Sequence, residues 1–372
     1  MIIGVDASRN RSGGAIAHLK GIFEFAKPQK YGIEKIHLWA YDELLVLIDD
    51  YSWLEKHEVP SSKKGILNQV AWQYFQLERS AKKLNVDIMF NTDAGSVCSF
   101  YPSVTLSQDM LSFEKGEMQR YPVYSLERVR LEILRGLQLR SLRRSALAIF
   151  LTNYAACSIS KFAKIRNQSE IPHGIERVFF ELGTRRRKWP SEGPIECVYV
   201  SNIDLYKHQW NVIQAFYLLR KKNNFDLRLS LVGSVNHRAK KKLDEALKRY
   251  DPDNDFVSVL GGVTHEKIPN ELQKADFFLF ASSCENLPIT LLEAMASSLP
   301  IVSSNKGPMP EVLEDAALYF DPENVEEIVT VVKTLLVDEK IRTSIKNKAV
   351  NIANTYSWEK CADLTWEKIS QL

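Results

Sequence analysis

Short runs of β-branched and aromatic residues alternate with amphipathic helical patterns along the whole 372-residue chain, and the alternation runs through twice. No other feature limits the fold as strongly, because strands that alternate with helices pair in parallel and need helical cover on both faces. In the first half, MIIGVDAS, IEKIHLWA, VDIMFNT, PSVTLSQ and YAACSIS read as strands, and GGAIAHLKGIFEFA as the helix fed by the first of them. The second half repeats the scheme with IECVYVSN, LRLSLVGS, FVSVLGGV, ADFFLFAS, PIVSS and ALYF. Nearly continuous apolar runs of this kind fit strands buried on both faces. Between the halves, ELGTRRRKWPSEGP joins Gly, Pro and a charge run without periodicity and reads as a linker. The expected layout is a domain at 1–182, a linker at 183–194, a second domain at 195–355 and a closing amphipathic helix at 356–372.

Composition narrows the function classes. A formal net charge of +3, from 49 Lys plus Arg against 46 Asp plus Glu, is too small for nucleic acid to be the main partner. The five cysteines are scattered and form no C-x-x-C pair, which argues against a disulfide framework and a zinc site and points to a reducing cytoplasm. No Asp, His or Cys set shows metal-ligand spacing, so no metal is expected. The N-terminus lacks the apolar core of about 7–15 residues of a secretion signal, and no stretch reaches the roughly 18 apolar residues of a membrane span.

Two glutamates in SSCENLPITLLEAMASSLPIVSS stand out. Pro288 suits a first helical turn, with Asn286 or Leu287 as the cap, so Glu285 sits just ahead of a helix N-terminus, where unpaired N–H groups attract anions. The helix that follows is apolar nearly all round and should be buried, which places Glu293 in a core. An ionised carboxylate there needs hydrogen bonds or a cation, from the protein itself or from a ligand.

In this segment the chain resembles the GT-B retaining glycosyltransferases of the group 1, or family-four, type, whose hallmark is two glutamates separated by seven residues. The segments GPMPEVLEDAALYFDPEN, PHGIERVFF, YVSNIDLYKHQWNVIQAF and YSWEKCA follow the same family pattern in order. The resemblance implies two Rossmann-like domains facing a cleft, with a C-terminal helix crossing back to the first. It implies that Glu293 binds the ribose hydroxyls of a nucleotide-diphosphate sugar, GDP- or UDP-linked, while Glu285 contacts the sugar. Asn286, Leu287, Pro288, Ile289 and Thr290 would present backbone to the phosphates or sugar, and Lys207 would neutralise the diphosphate as charge develops on the leaving group. Gly13 and Gly14, after a strand and opening a helix, would approach a phosphate closely.

Two positions depart from the family. Asn202 stands where an arginine is usual and brings no charge, leaving Arg9, Arg11 or Lys306 as substitutes. Gln108 stands in the usual histidine slot, with Asp109 beside it as a candidate acceptor base. His173, in PHGIE, reads as a backbone or hinge residue. Retention without a metal or cofactor is implied, with a glycan or polyprenyl-diphosphate-linked acceptor of bacterial surface polysaccharide. From Arg120 to Arg144 the chain is dense in arginine, and Arg128, Arg135, Arg140, Arg143 and Arg144 form a candidate contact with anionic membrane, consistent with a cytoplasmic protein at the inner face. Two alternatives stay open: a non-catalytic nucleotide-sugar scaffold and a nucleotide-sugar epimerase.

Overall fold

The computed structural model describes residues 1–59, 65–184, 189–190 and 193–372. It divides into two compact units, Met1–Gly174 with Ser357–Leu372, and Ile175–Tyr356. In the first, β1 (Ile2–Asp6), β2 (Lys35–Ala40), β3 (Leu54–Glu58), β4 (Ile88–Asn91), β5 (Ser103–Ser107), β6 (Leu147–Phe150) and β7 (Gln168–Glu170) form a sheet in the order β3-β2-β1-β4-β5-β6-β7. In the second, β8 (Ile195–Val200), β9 (Leu227–Val232), β10 (Val257–Gly261), β11 (Phe277–Phe280), β12 (Ile301–Ser304) and β13 (Leu318–Phe320) take the order β10-β9-β8-β11-β12-β13. Every strand pairing among the described residues is parallel. Both units are therefore Rossmann-like, doubly wound sheets. In such sheets the winding reverses at one point, between β1 and β4 and between β8 and β11 here, and the loops leaving those strands open a crevice at their carboxyl ends.

The structure corrects several sequence readings. YAACSIS is not a strand: Asn153–Ser160 is a helix, capped by the Thr152 side chain accepting from the Ala155 N–H. The strand is the preceding LAIF, β6, whose four residues are all buried. The edge strands β3 and β7 escaped notice because both carry charge and little apolar alternation. The second unit begins at Ile175, eight residues ahead of the expected linker start, because the helix Arg177–Thr184 packs on the helix Ile289–Ala296. A Cβ on Gly183 would meet the Ala296 carbonyl at 2.7 Å, so that packing is close. Within the expected linker, 185–188 and 191–192 lie outside the described residues.

The chain returns to the first unit at Ser357, which caps the helix Trp358–Ser370. That helix lies along the helix Gly13–Glu24, with Trp366 donating its indole N–H to the Ile22 carbonyl at 2.9 Å. Trp358 fills the space left by two glycines: a Cβ on Gly21 would lie 2.3 Å from its ring and one on Gly174 2.0 Å from its backbone nitrogen. Beside it His18 and His173, both buried, face each other at 3.1 Å between Nδ1 atoms. Burial pushes the His18 imidazole down to about 3 and His173 well below the usual histidine range. His173 is thus a packed, neutral residue at the last step before the chain leaves this unit.

Candidate functional site

Lys207 lies on the loop between β8 and the helix Gln209–Asn223, and Glu285 on the loop after β11. The two strands are neighbours across the reversal of winding, so the topology itself brings these loops together. Cross-links fix them there. The Ser283 N–H donates to the Tyr206 carbonyl at 2.8 Å, His208 Nε2 and the Ser283 hydroxyl share a hydrogen at 2.9 Å, and the Tyr199 hydroxyl donates to the Lys207 carbonyl at 2.8 Å. The ammonium of Lys207 then meets a carboxylate oxygen of Glu285, with the two side chains only 10% and 14% exposed. Lys207 also lies over the rings of Tyr206 and Phe280 at 5.1 and 5.4 Å, a low-dielectric setting that strengthens its charge.

The helix Ile289–Ala296 begins one residue later than expected, with Pro288 as its N-cap at φ −76°, ψ 107°. Pro288 has no N–H and no side-chain acceptor, so no side chain caps the N–H groups of Ile289 and Thr290. Ahead of them Asn286 and Leu287 are buried and Glu285 is partly so. One turn on, Glu293 is 1% exposed. Its Oε1 meets His265 Nε2 at 2.6 Å, while Oε2 is buried with no hydrogen-bond partner among the described residues. Desolvation pushes the Glu293 carboxyl above the usual range, opposed by His265. The imidazole is pushed up in turn, chiefly by the bond to Glu293 against its own desolvation, and its Nδ1 stands 3.5 Å from Glu176. Sequence reading missed His265, which lies on a short turn before the helix Ile268–Lys274, since nothing local in VTHEK ties it to a residue 28 positions on.

Residues 183–351 match the family described as glycosyl transferases group 1. The matched segment lies within the second unit. Among curated relatives, O-antigen chain mannosyltransferase B of Escherichia coli is 27% identical over 169 residues, 45% of this chain and 44% of that protein. The chain therefore spans under half the length of that relative. Whole-chain likeness is one of fold: sucrose-phosphate synthase of Thermosynechococcus elongatus superposes with TM-score 0.78 at 13% identity, covering 100% of this chain and 98% of that one. Anabaena HepE, solved with UDP-glucose, gives 0.75 at 18% identity and covers 100% of both chains.

The other expected residues take varied positions. Asn202 is exposed on the Lys207 loop and accepts from the Ser234 hydroxyl at 3.0 Å. Lys306 pairs with Asp321 at 2.7 Å. The remaining candidates are in the first unit. Arg9 reaches Asp93 at 3.7 Å and the Gly95 carbonyl, and Arg11 lies over the Tyr41 ring at 4.5 Å. Gly13 and Gly14 open the helix Gly13–Glu24, capped by Ser12, and a Cβ on Gly13 would meet nothing within 4 Å. Gln108 donates to the Thr92 carbonyl at 2.9 Å. Asp109 is exposed and accepts from the Leu111 N–H at 2.9 Å. Elsewhere in the first unit, His37, Glu55 and His57 come together, their ligand atoms within 4.8 Å of one another.

Proposed function

We propose that this chain is a retaining glycosyltransferase that moves a hexose from a GDP- or UDP-linked sugar to a glycan or lipid-linked acceptor of bacterial surface polysaccharide. The observation that carries the reading is the half-satisfied Glu293: a buried carboxylate oxygen without a partner, one turn beyond an uncapped helix N-terminus whose approach holds the Lys207–Glu285 pair. A ribose supplies the missing hydroxyl donors to Oε2. The diphosphate faces the Ile289 and Thr290 N–H groups, and Lys207 turns from Glu285 to the leaving phosphate, freeing Glu285 for the sugar hydroxyls. Fixed positive charge from Lys207 and the helix terminus does the work that a metal does elsewhere, so turnover proceeds without one. Asn286, Leu287 and Pro288 shape the wall of this pocket, Asn202 adds a neutral hydrogen bond, and Gly13 and Gly14 offer backbone N–H groups to an anion. The relative from E. coli is an O-antigen mannosyltransferase and HepE was solved with UDP-glucose, which supports the substrate class and leaves the base and sugar open.

On the acceptor side, Asp109, exposed beside Gln108 at the end of β5, is the proposed base. Arg140, Arg143 and Arg144 are exposed on the helix Leu126–Arg144, near whose start Val123, Tyr124, Leu126, Val129 and Ile133 are exposed as well. This basic and apolar surface is proposed to rest on anionic lipid at the cytoplasmic face of the membrane. Arg128 and Arg135 instead brace the helix through Glu132. A thermal-shift screen of nucleotide sugars tests the reading: a donor at 100 times its dissociation constant stabilises the fold by about 2.7 kcal/mol. Glu293→Ala should abolish the shift, and Glu285→Ala should lower turnover more than nucleotide affinity. A full shift with Glu293→Ala would overturn the assignment, and conversion of the sugar without transfer would point to an epimerase.

A further inference from the structure

On the first sheet, β2 and β3 pair in parallel with His37 opposite Glu55 and Trp39 opposite His57. Strand side chains repeat every two residues, so the three chemistry-bearing groups stand on one face. His37 Nδ1 lies 2.9 Å from His57 Nε2, His57 Nε2 lies 3.6 Å from Glu55 Oε1, and His37 Nδ1 lies 3.9 Å from Glu55 Oε2. A tetrahedral ion bound at about 2.0–2.2 Å from each of its ligands needs them roughly 3.3 Å apart. With Oε1 as the Glu55 ligand, the 2.9 and 3.6 Å separations bracket that value, the ligand atoms of all three residues lie within 4.8 Å of one another, and small rotations of the rings and carboxylate would equalise them.

We propose that His37 Nδ1, His57 Nε2 and a carboxylate oxygen of Glu55 form a binding site for a divalent transition-metal ion of the zinc type, with solvent as the fourth ligand. The ligand set is two imidazoles and one carboxylate, which suits zinc and its neighbours and not the oxygen-seeking magnesium or calcium. Imidazole and carboxylate bind such an ion through free lone pairs, so the site takes up metal as its ligands give up protons. Without an ion, one of the two facing nitrogens must hold a proton to make their contact. On binding, that proton passes through solvent to the far nitrogen of the same ring, which stays neutral as both facing lone pairs turn to the metal. The second Glu55 oxygen keeps Lys35, an outer partner that orients the carboxylate.

The surroundings fit a built site. The His37 side chain is 4% exposed, His57 23% and Glu55 40%, so the pocket is closed behind and open in front. Trp39 stacks on the His57 ring at 5.1 Å and belongs to an apolar cluster with Val59, Trp72 and Met89 that excludes water from the rear. Because β3 is the outer strand of its sheet, an ion there would tie the edge to its neighbour and raise stability by binding only the folded form.

Titration of the full chain with zinc chloride alone, followed by calorimetry and thermal denaturation, tests the site. One equivalent should bind saturably, the melting temperature should climb with the logarithm of free zinc, and magnesium or calcium should do neither. Cobalt(II) should show the visible absorption of a four-coordinate ion. His57→Gln and Glu55→Gln, at the more open ligands, should each remove the saturable step and the cobalt band while leaving the fold intact by circular dichroism. Absence of saturable zinc binding by the native chain would overturn the proposal, as would undiminished binding by the folded His57→Gln variant, which would place the ion elsewhere.

Discussion

The two units share one winding pattern, and each has a carboxylate buried near the point where the winding reverses. Asp6, at the end of β1, is 3% exposed and has both oxygens occupied. Its Oδ1 accepts from the Ser8 N–H at 3.1 Å and the Ser8 hydroxyl at 2.7 Å, and Oδ2 accepts from Gln73 at 2.6 Å. Glu293 is as deeply buried, yet only one oxygen is bonded. Desolvation raises both carboxyls. The difference is in what answers it: the first unit closes its carboxylate with its own donors, whereas the second leaves one oxygen without a partner, where the proposed ribose would bond. Topology chooses where a site can be, and the satisfaction of buried polar atoms marks which of two equivalent places keeps bonding capacity to spare.

The sharpest way to break this comparison is to remove the cation from each unit. Lys207→Met should lower kcat by about 100–1000-fold, the loss of one preorganised charge at the leaving group. Arg9→Met, a cation already held by Asp93 and the Gly95 carbonyl, should cost less than about tenfold, under about 1.4 kcal/mol of barrier. Steady-state kinetics with a responsive donor decides it, and equal losses would erase the distinction. Next in size, Gly174→Ala should destabilise the first unit by about 3 kcal/mol, because its Cβ would meet the Trp358 backbone rather than a movable side chain. Calorimetry should show that transition lowered and the other unchanged.

The units should also respond oppositely to pH. His18 and His173 have lowered folded values, so below about pH 6.5 the unfolded chain binds protons that the folded unit refuses, and stability falls as pH drops. His265 and Glu293 have raised folded values, so their contribution is complete below the unfolded values and is lost as pH rises through the folded ones. Each group changes stability by at most about 1.4 kcal/mol per pH unit. Denaturation of the native chain and of His265→Gln from pH 5 to 8 should show the variant losing the alkaline decline, and an unaltered slope would remove His265 from the account. The smallest effect sharpens the donor reading: Asn202→Arg should tighten donor binding by about fivefold, near 1 kcal/mol for an exposed charge, measured by the same thermal-shift titration.

Much of this was legible in the chain itself. The apolar helix around Glu293 and the two doubly wound sheets follow from periodicity that a linear reading can see, while Lys207 and the glutamate pair were marked by the family resemblance. The edge strands β3 and β7, the helix Asn153–Ser160 and the start of the second unit at Ile175 did not, because short charged strands and capped apolar runs look alike until a neighbour buries one face.

The sequence by itself determined the alternation of continuous apolar runs with helical patterns, hence parallel sheets under helices, and it determined that a carboxylate would be buried inside the helix Ile289–Ala296. Only the tertiary structure decided that His265 takes one oxygen of that carboxylate and leaves the other open, and that His37, Glu55 and His57 share one face. Those contacts join residues 28 and 20 positions apart through turns and strand register. Local propensity fixes which way a side chain points along its own element, but the partner it meets depends on how separate elements pack, which no short window of sequence specifies.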